Sequence, residues 1–500
     1  MLFMSRSIVC LCCNLSLVLF VIFSSRLVTR PRTEIAMGSN TPFACPVVLP
    51  DPRVPIGETL ARWSYSNVDR PALHVTPDDE GHIIQALEYG HERRLTVVVA
   101  GGGNAAFVPI TKDTLYLSLD KFDRLELNEG SQTVTFGGGV RAGRVLTYLA
   151  ELGFYTVLPS SNAVGMAGFV LGGGGHHFIG LHGLTVDNVE SFRIITADGR
   201  ALNLDSTAAG EERSLFKVLN GAGLGYGVVV SITMKVYPLS GLGMENIQFV
   251  TRRLIFPASE IRAAAEALVS FDHLDPKLIV ALACGNAPPG TPSPGTPFVV
   301  LDATYCGSKQ EAERETAVLF EERLVEKASI AVTVCEPYVN LNDATPNTTG
   351  GYRDINVAAL NAISAGAVEE AFHLWLAFTS ANEDANRTML AFSRFDTSFS
   401  EKARQPGEFI GTRDRGTACI AMTCYTKPDL RDKAEAFAAA FKAIVRRGNV
   451  KSVPRTVLNN MRPHTKLGEI FDQEAILELR RVKSLWDPQN LFWSPWFRDT

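Results

Sequence analysis

Between residues 67 and 238, apolar positions recur with two different periods, and glycine-dense turns separate them. Ile83, Ile84 and Leu87 share one face of a helix predicted over 81–94, with Asp78 and Asp79 available as caps. The β-branched run 95–100 reads as a strand, as do 115–119 and 133–136. Leu146, Leu149 and Leu152 predict a helix over 144–152 closed by Gly153. Segments 190–196 and 200–204 flank Asp198-Gly199, a strong hairpin signal. A helix over 211–219 stops at Gly221, and a strand over 228–237 ends at Pro238.

A second pattern starts near residue 246. Strands at 247–255, 277–284, 298–305, 329–335 and 417–425 alternate with helices at 258–271, 308–327, 366–380 and 428–447. The Pro288–Pro297 stretch reads as a surface loop. This region predicts a sheet covered by helices, able to roof a pocket. The stretch 457–496 differs again: a charged helix over 472–484 leads into Trp486-Asp487-Pro488-Gln489-Asn490-Leu491-Phe492. The chain's 500 residues exceed one typical core, so we divide it into 1–36, 60–240, 245–455 and 456–497.

Composition narrows the function class. Hydrophobic residues make up 46% and charged residues 20%, enough for a large core. A net charge of −5 with no sizeable basic cluster argues against a nucleic-acid partner. Nine cysteines show no zinc spacing, and sequence cannot pair Cys419 with Cys424. Residues 8–23 are apolar and follow Arg6. They read as a secretory signal or an uncleaved membrane anchor, which places the protein in the endomembrane system or outside the cell. Alternatively, translation starts at Met37 and the protein is cytoplasmic. Sequons at Asn347 and Asn386 matter only for the secreted case.

The 41 glycines concentrate where chemistry is expected: 101–103, 137–139, 165–183 and 221–227. Gly101-x-Gly103 follows a strand but runs into another strand, and Gly137-x-Gly139 lacks the acid a nicotinamide Rossmann site needs. A P-loop and a Gly-x-Ser-x-Gly elbow are both missing from the sequence. Adjacent His176 and His177 cannot easily share one metal, so no metal site is expected. Three backbone-rich loops in one unit suit a large anionic cofactor held by peptide N–H groups.

Val99-Ala100-Gly101-Gly102-Gly103-Asn104, Val164-Gly165-Met166-Ala167-Gly168, Gly172-Gly173-Gly174, Gly183 to Val189, Gly225 to Val229 and Trp486 to Phe492 occur in order. In this respect the chain resembles FAD-linked oxidoreductases of the vanillyl-alcohol oxidase superfamily, berberine-bridge-enzyme-like branch, over residues 60–497. The resemblance implies an α+β fold: a two-part PCMH-type FAD-binding domain, an inserted α/β substrate domain and a tail returning to the flavin. It implies cofactor contacts from Ala100, Gly101, Gly102, Gly103, Asn104 and Ala105, and from Ser160, Ser161, Val164, Gly165, Gly168 and Gly172. Gly227, Val228, Val229 and Asn490 complete that expected set.

Departures from the family pattern are informative. Many relatives tether FAD through a histidine and a cysteine where this chain has Asn104 and Ser161, so non-covalent FAD is expected. A tyrosine common in relatives is replaced within Val457-Leu458-Asn459-Asn460. His177, Tyr226, Tyr352 and His464 are the substitutes considered for proton transfer, unranked. The resulting expectation is oxidation of a small organic substrate by hydride transfer to FAD, with O2 as acceptor. A non-redox cyclisation, or ligand binding without turnover, are the alternatives.

Overall fold

The computed structural model describes residues 43–291, 293–343, 350–449 and 452–497. The apolar segment 8–23, Met37 and the Asn347 sequon lie outside the described residues.

The first unit holds two larger sheets and a two-stranded pair, Phe154–Tyr155 with Tyr237–Pro238. In one, strands Val47–Val48, Leu73–Val75, Thr114–Ser118 and Thr96–Ala100 lie side by side, the last three parallel. Parallel neighbours need a crossover, and the helix Glu80–Glu92 supplies it, capped by the Asp79 carboxylate on the His82 N–H. The other sheet is antiparallel, in the order 125–128, 133–137, 228–235, 189–195, 201–205. Its 189–195/201–205 hairpin turns at Gly199 with φ +80°. The helix Gly210–Ala222 loses helical geometry at Asn220 and Gly221, as the glycine predicts.

The second unit is one seven-stranded sheet in the order 330–337, 248–257, 297–305, 278–286, 389–395, 417–425, 352–360. Every pairing is antiparallel, and helices cover one face, as the expected sheet covered by helices requires. Leu278, Val280, Leu282, Leu301, Phe392, Cys419 and Ala421 pack into a core with the helices Ile261–Val269, Ala365–Ala381 and Arg431–Arg446. The alternate residues of the same strands face the other way. Two of the seven strands, Tyr352–Leu360 and Met389–Phe395, carry weak sequence signals: Arg353, Asp354 and Asn356 break the apolar run of one, and the other is short. The helix expected over 308–327 is broken into 309–315, 317–320 and 322–325. Thr316 has left helical geometry and bonds its hydroxyl back to the Ala312 carbonyl at 2.7 Å.

The C-terminal segment packs on the first unit. After the helix Gln473–Trp486 the chain runs along the free edge of Thr96–Ala100. Val97 N–H donates to Leu491 O at 2.8 Å, and Trp493 N–H donates to Val97 O at 3.0 Å. Among the described residues no helix is long and apolar enough to cross a membrane.

Candidate active site

The glycine loops meet backbone to backbone. A Cβ on Gly102 would lie 2.4 Å from Gly165 N, and one on Gly165 would lie 2.4 Å from Gly102 N. Only glycine at both positions permits this approach. Asn104 stitches the same two loops: its Nδ2 donates to Ala163 O at 3.0 Å and to Gly102 O at 3.2 Å. From outside, Arg62 donates to Ala105 O at 2.6 Å, and Trp63 N–H donates to Gly103 O at 3.1 Å. The tail closes another side, where Gly225 allows the Trp493 carbonyl to within 2.4 Å of its Cβ position.

These loops form the floor of a cavity of about 740 Å³, roofed by the free face of the seven-stranded sheet. Of the cofactor residues expected from sequence, Ala100 to Ala105, Ser160, Ser161, Val164, Gly165, Gly168, Gly172, Gly227 and Val229 line it. Val228 does not, because strand alternation turns it into the apolar cluster with Val97 and Phe492. Nor does Asn490, which is exposed in a left-handed turn with φ +52°. Phe492 and Trp493 take its expected place.

The four proton-transfer candidates separate cleanly. His177 lines the cavity, together with His176. Tyr226 is fully buried outside it, its hydroxyl donating to Leu479 O at 2.9 Å, with burial raising its pKa. Tyr352 stacks on Tyr425 with 5.4 Å between ring centroids, away from the cavity. His464 is exposed and borders a small separate recess near Asp354 and Lys442. For these three the sequence offered residue type without direction, and the fold turns each one elsewhere.

Some cavity residues lacked any chemical signal in the sequence. The segment 409–413 reaches from the second unit onto the floor, where Ile410 fills the space that side chains on Gly173 and Gly221 would occupy. Arg413 holds this segment. It is 3% exposed and donates to both Asp187 oxygens at 2.8 Å and to Glu408 at 2.8 Å. Two charged hydrogen bonds per carboxylate compensate such burial. Asn459 donates to Gly168 O and Phe169 O at 3.2 and 3.1 Å, packed on Gly172.

The histidines around the floor share an electrostatic signature. Burial pushes His176 and His182 down to about 4, and burial together with His176 pushes His177 well below its usual value. His182 sits 2.8 Å from the Tyr155 hydroxyl and stacks on Tyr237. Folded-state pKa values depressed from 6.5 mean that the unfolded chain binds protons first as pH falls. Stability present above pH 6.5 is therefore lost progressively towards pH 4. Urea midpoints measured at pH 7 and pH 5 should fall in acid, and His182→Gln should shrink the difference. An undiminished difference in that variant would remove His182 from the account.

Comparison with known proteins agrees with this geometry. Residues 71–205 match a family model described as an FAD binding domain. The FAD-linked oxidoreductase OXR1 of Pyricularia oryzae is 24% identical over 442 residues, covering 86% of this chain and 84% of that protein. The FAD-linked oxidoreductase hasG of Aspergillus fumigatus is 25% identical over 446 residues, covering 86% and 92%. Among solved structures, Physcomitrella patens BBE-like 1 superposes with a TM-score of 0.74 at 16% identity, covering 90% of this chain and 96% of that one. The xylooligosaccharide oxidase of Myceliophthora thermophila C1 gives 0.72 at 19% identity, with the same coverage. Residues 71–205 thus form an FAD-binding domain, within a chain that has the fold of berberine-bridge-enzyme-like proteins and FAD-linked oxidoreductases as its sequence relatives.

Proposed function

We propose that this protein is an FAD-dependent oxidoreductase that oxidises a small organic molecule, holds its FAD without a covalent bond, and passes electrons to O2. The observation that carries this reading is the paired glycine floor. Its close backbone approach brings the glycine-rich segments 100–105 and 160–168 together along one cavity wall, a main-chain surface of the kind that accommodates a pyrophosphate. When bound, the flavin would supply a two-electron acceptor for an activated C–H bond. The protein's part is to hold the reactants together and exclude water.

The side chains at the tether positions support non-covalent attachment. The Asn104 carboxamide is not a nucleophile, and its N–H is engaged with two backbone carbonyls. Ser161 carries a hydroxyl where a thiolate would be needed. Precipitating the yellow protein with acid should leave the flavin in the supernatant. Flavin remaining with the pellet would refute the attachment mode, and a protein that binds no flavin at all would refute the function.

A further inference from the structure

The roof of the cavity has a readable chemistry. Register across the sheet aligns its cavity-facing residues in rows. One row runs Asp302, Ala281, Ser393, Ala418, Ala359, and the next runs Val300, Ala283, Ala391, Ile420, Val357. Bulkier rows flank them, Thr304, Ile279 and Phe395 on one side and Met389, Met422 and Ile355 on the other. The result is an aliphatic trough floored by alanines. A sugar ring seated on the alanines would find polar partners in these rows only at Asp302, Ser393 and Thr304, and each hydroxyl left unpaired would cost about 1–3 kcal/mol.

Titratable side chains lining the cavity, among the described residues, are Arg62, Asp302, Arg413, Arg415 and the two histidines. The arginines cannot accept a proton. Asp302 is held by both ends of the Arg253 guanidinium at 2.8 and 2.7 Å. Arg413 is neutralised by Asp187 and Glu408, and Arg415 bonds Asn361 and lies 3.4 Å from Asp414. That leaves His176 and His177, whose rings meet edge to face at 4.4 Å. The Nδ1 of His176 is buried with no hydrogen-bond partner. Neither ring's pKa is raised by any of these charged groups, and both are neutral at pH 7.

Building on the function proposed above, we propose that the substrate is an uncharged, largely apolar molecule bearing a hydroxyl on an oxidisable carbon, seated against the alanine trough, and that the His176–His177 pair takes its hydroxyl proton. The O–H bond breaks towards an imidazole nitrogen and a C=O bond forms. The carbon-bound hydrogen leaves with its electron pair to the flavin oxidant.

The test uses the FAD-loaded full chain with two probes, 4-methoxybenzyl alcohol and xylobiose. The aromatic alcohol should perturb the flavin spectrum on binding and bleach it anaerobically, and xylobiose should do neither. Ala391→Phe, which fills the trough, should weaken alcohol binding at least tenfold with flavin content unchanged. His177→Gln and His176→Gln should leave the binding perturbation within about threefold of wild type. At least one of them should slow bleaching a hundredfold or more. Bleaching by the wild type should be flat from pH 5 to 8, without the limb near 6.5 of an ordinary histidine. No response to the alcohol, a stronger response to xylobiose, unchanged binding in Ala391→Phe, or wild-type bleaching in both histidine variants would each overturn the proposal. Flavin content, measured before any probe is added, reports separately on the FAD reading.

Discussion

Replacing Lys483 with methionine is expected to destabilise the protein by about 3–5 kcal/mol, because it leaves a buried carboxylate uncompensated. Lys483 is fully buried, and its ammonium donates to Gly225 O at 2.6 Å, Asp487 Oδ2 at 2.5 Å and Phe492 O at 3.0 Å. Asp487 accepts in turn from the N–H groups of Leu491 and Phe492 at 2.8 and 2.9 Å. Burial lowers the lysine's pKa, and the Asp487 carboxylate opposes that shift. One ion pair thus ties the last helix, the Gly225 loop and the tail segment that brings Phe492 and Trp493 to the cavity. Denaturant unfolding would read the loss directly, and flavin retention should fall with it. A change below about 1 kcal/mol would show that the tail is held by its apolar contacts alone. Asp487→Leu together with Lys483→Met should recover only part of the loss, since the two N–H groups and two carbonyls remain without partners.

Gly102→Ala is the second large effect expected. Its Cβ would meet Gly165 N at 2.4 Å and Gly165 Cα at 2.7 Å, both backbone atoms that cannot rotate aside. The two loops must separate, and the wall they form changes shape. FAD affinity should fall at least a hundredfold, about 2.7 kcal/mol. Gly165→Ala should act alike, since the contact is reciprocal. Gly241→Ala, whose Cβ would meet nothing within 4 Å, is the control. Equilibrium titration of the flavin-free protein with FAD measures all three, and wild-type affinity in both loop variants would show that the loops do not touch the cofactor.

The glycine floor was legible in the sequence because glycine clusters have few other uses after a strand, and the structure brings 101–103, 165–168 and 172–175 onto one surface. Asn104 was legible as a departure, though not its hydrogen bonds to both loops. The catalytic side was less so. Tyr226, Tyr352 and His464 are the right residue types for proton transfer, but direction depends on partners distant in sequence: Leu479 for the first, Tyr425 for the second, and the 431–446 helix beside the third. Arg413 and Ile410 escaped notice for the same reason. Their roles exist only once Asp187, Gly173 and Gly221 are beside them. The strand Tyr352–Leu360 was missed because it carries buried charge, and Asp354 is compensated by Arg462, more than a hundred residues away.

The alternation along the seven-stranded sheet has a consequence for how such a protein changes over generations. Odd and even positions of one strand answer to different demands. Leu282 and Phe392 hold the fold, while their neighbours Ala281, Ala283 and Ala391 shape the space beneath it. Point changes at the second set can redraw the pocket while sparing the first, so ligand preference can drift with little penalty in folding. A one-residue insertion in the same strand has the opposite character, because it exchanges the two sets at once. Such a sheet tolerates substitution far better than a shift in length.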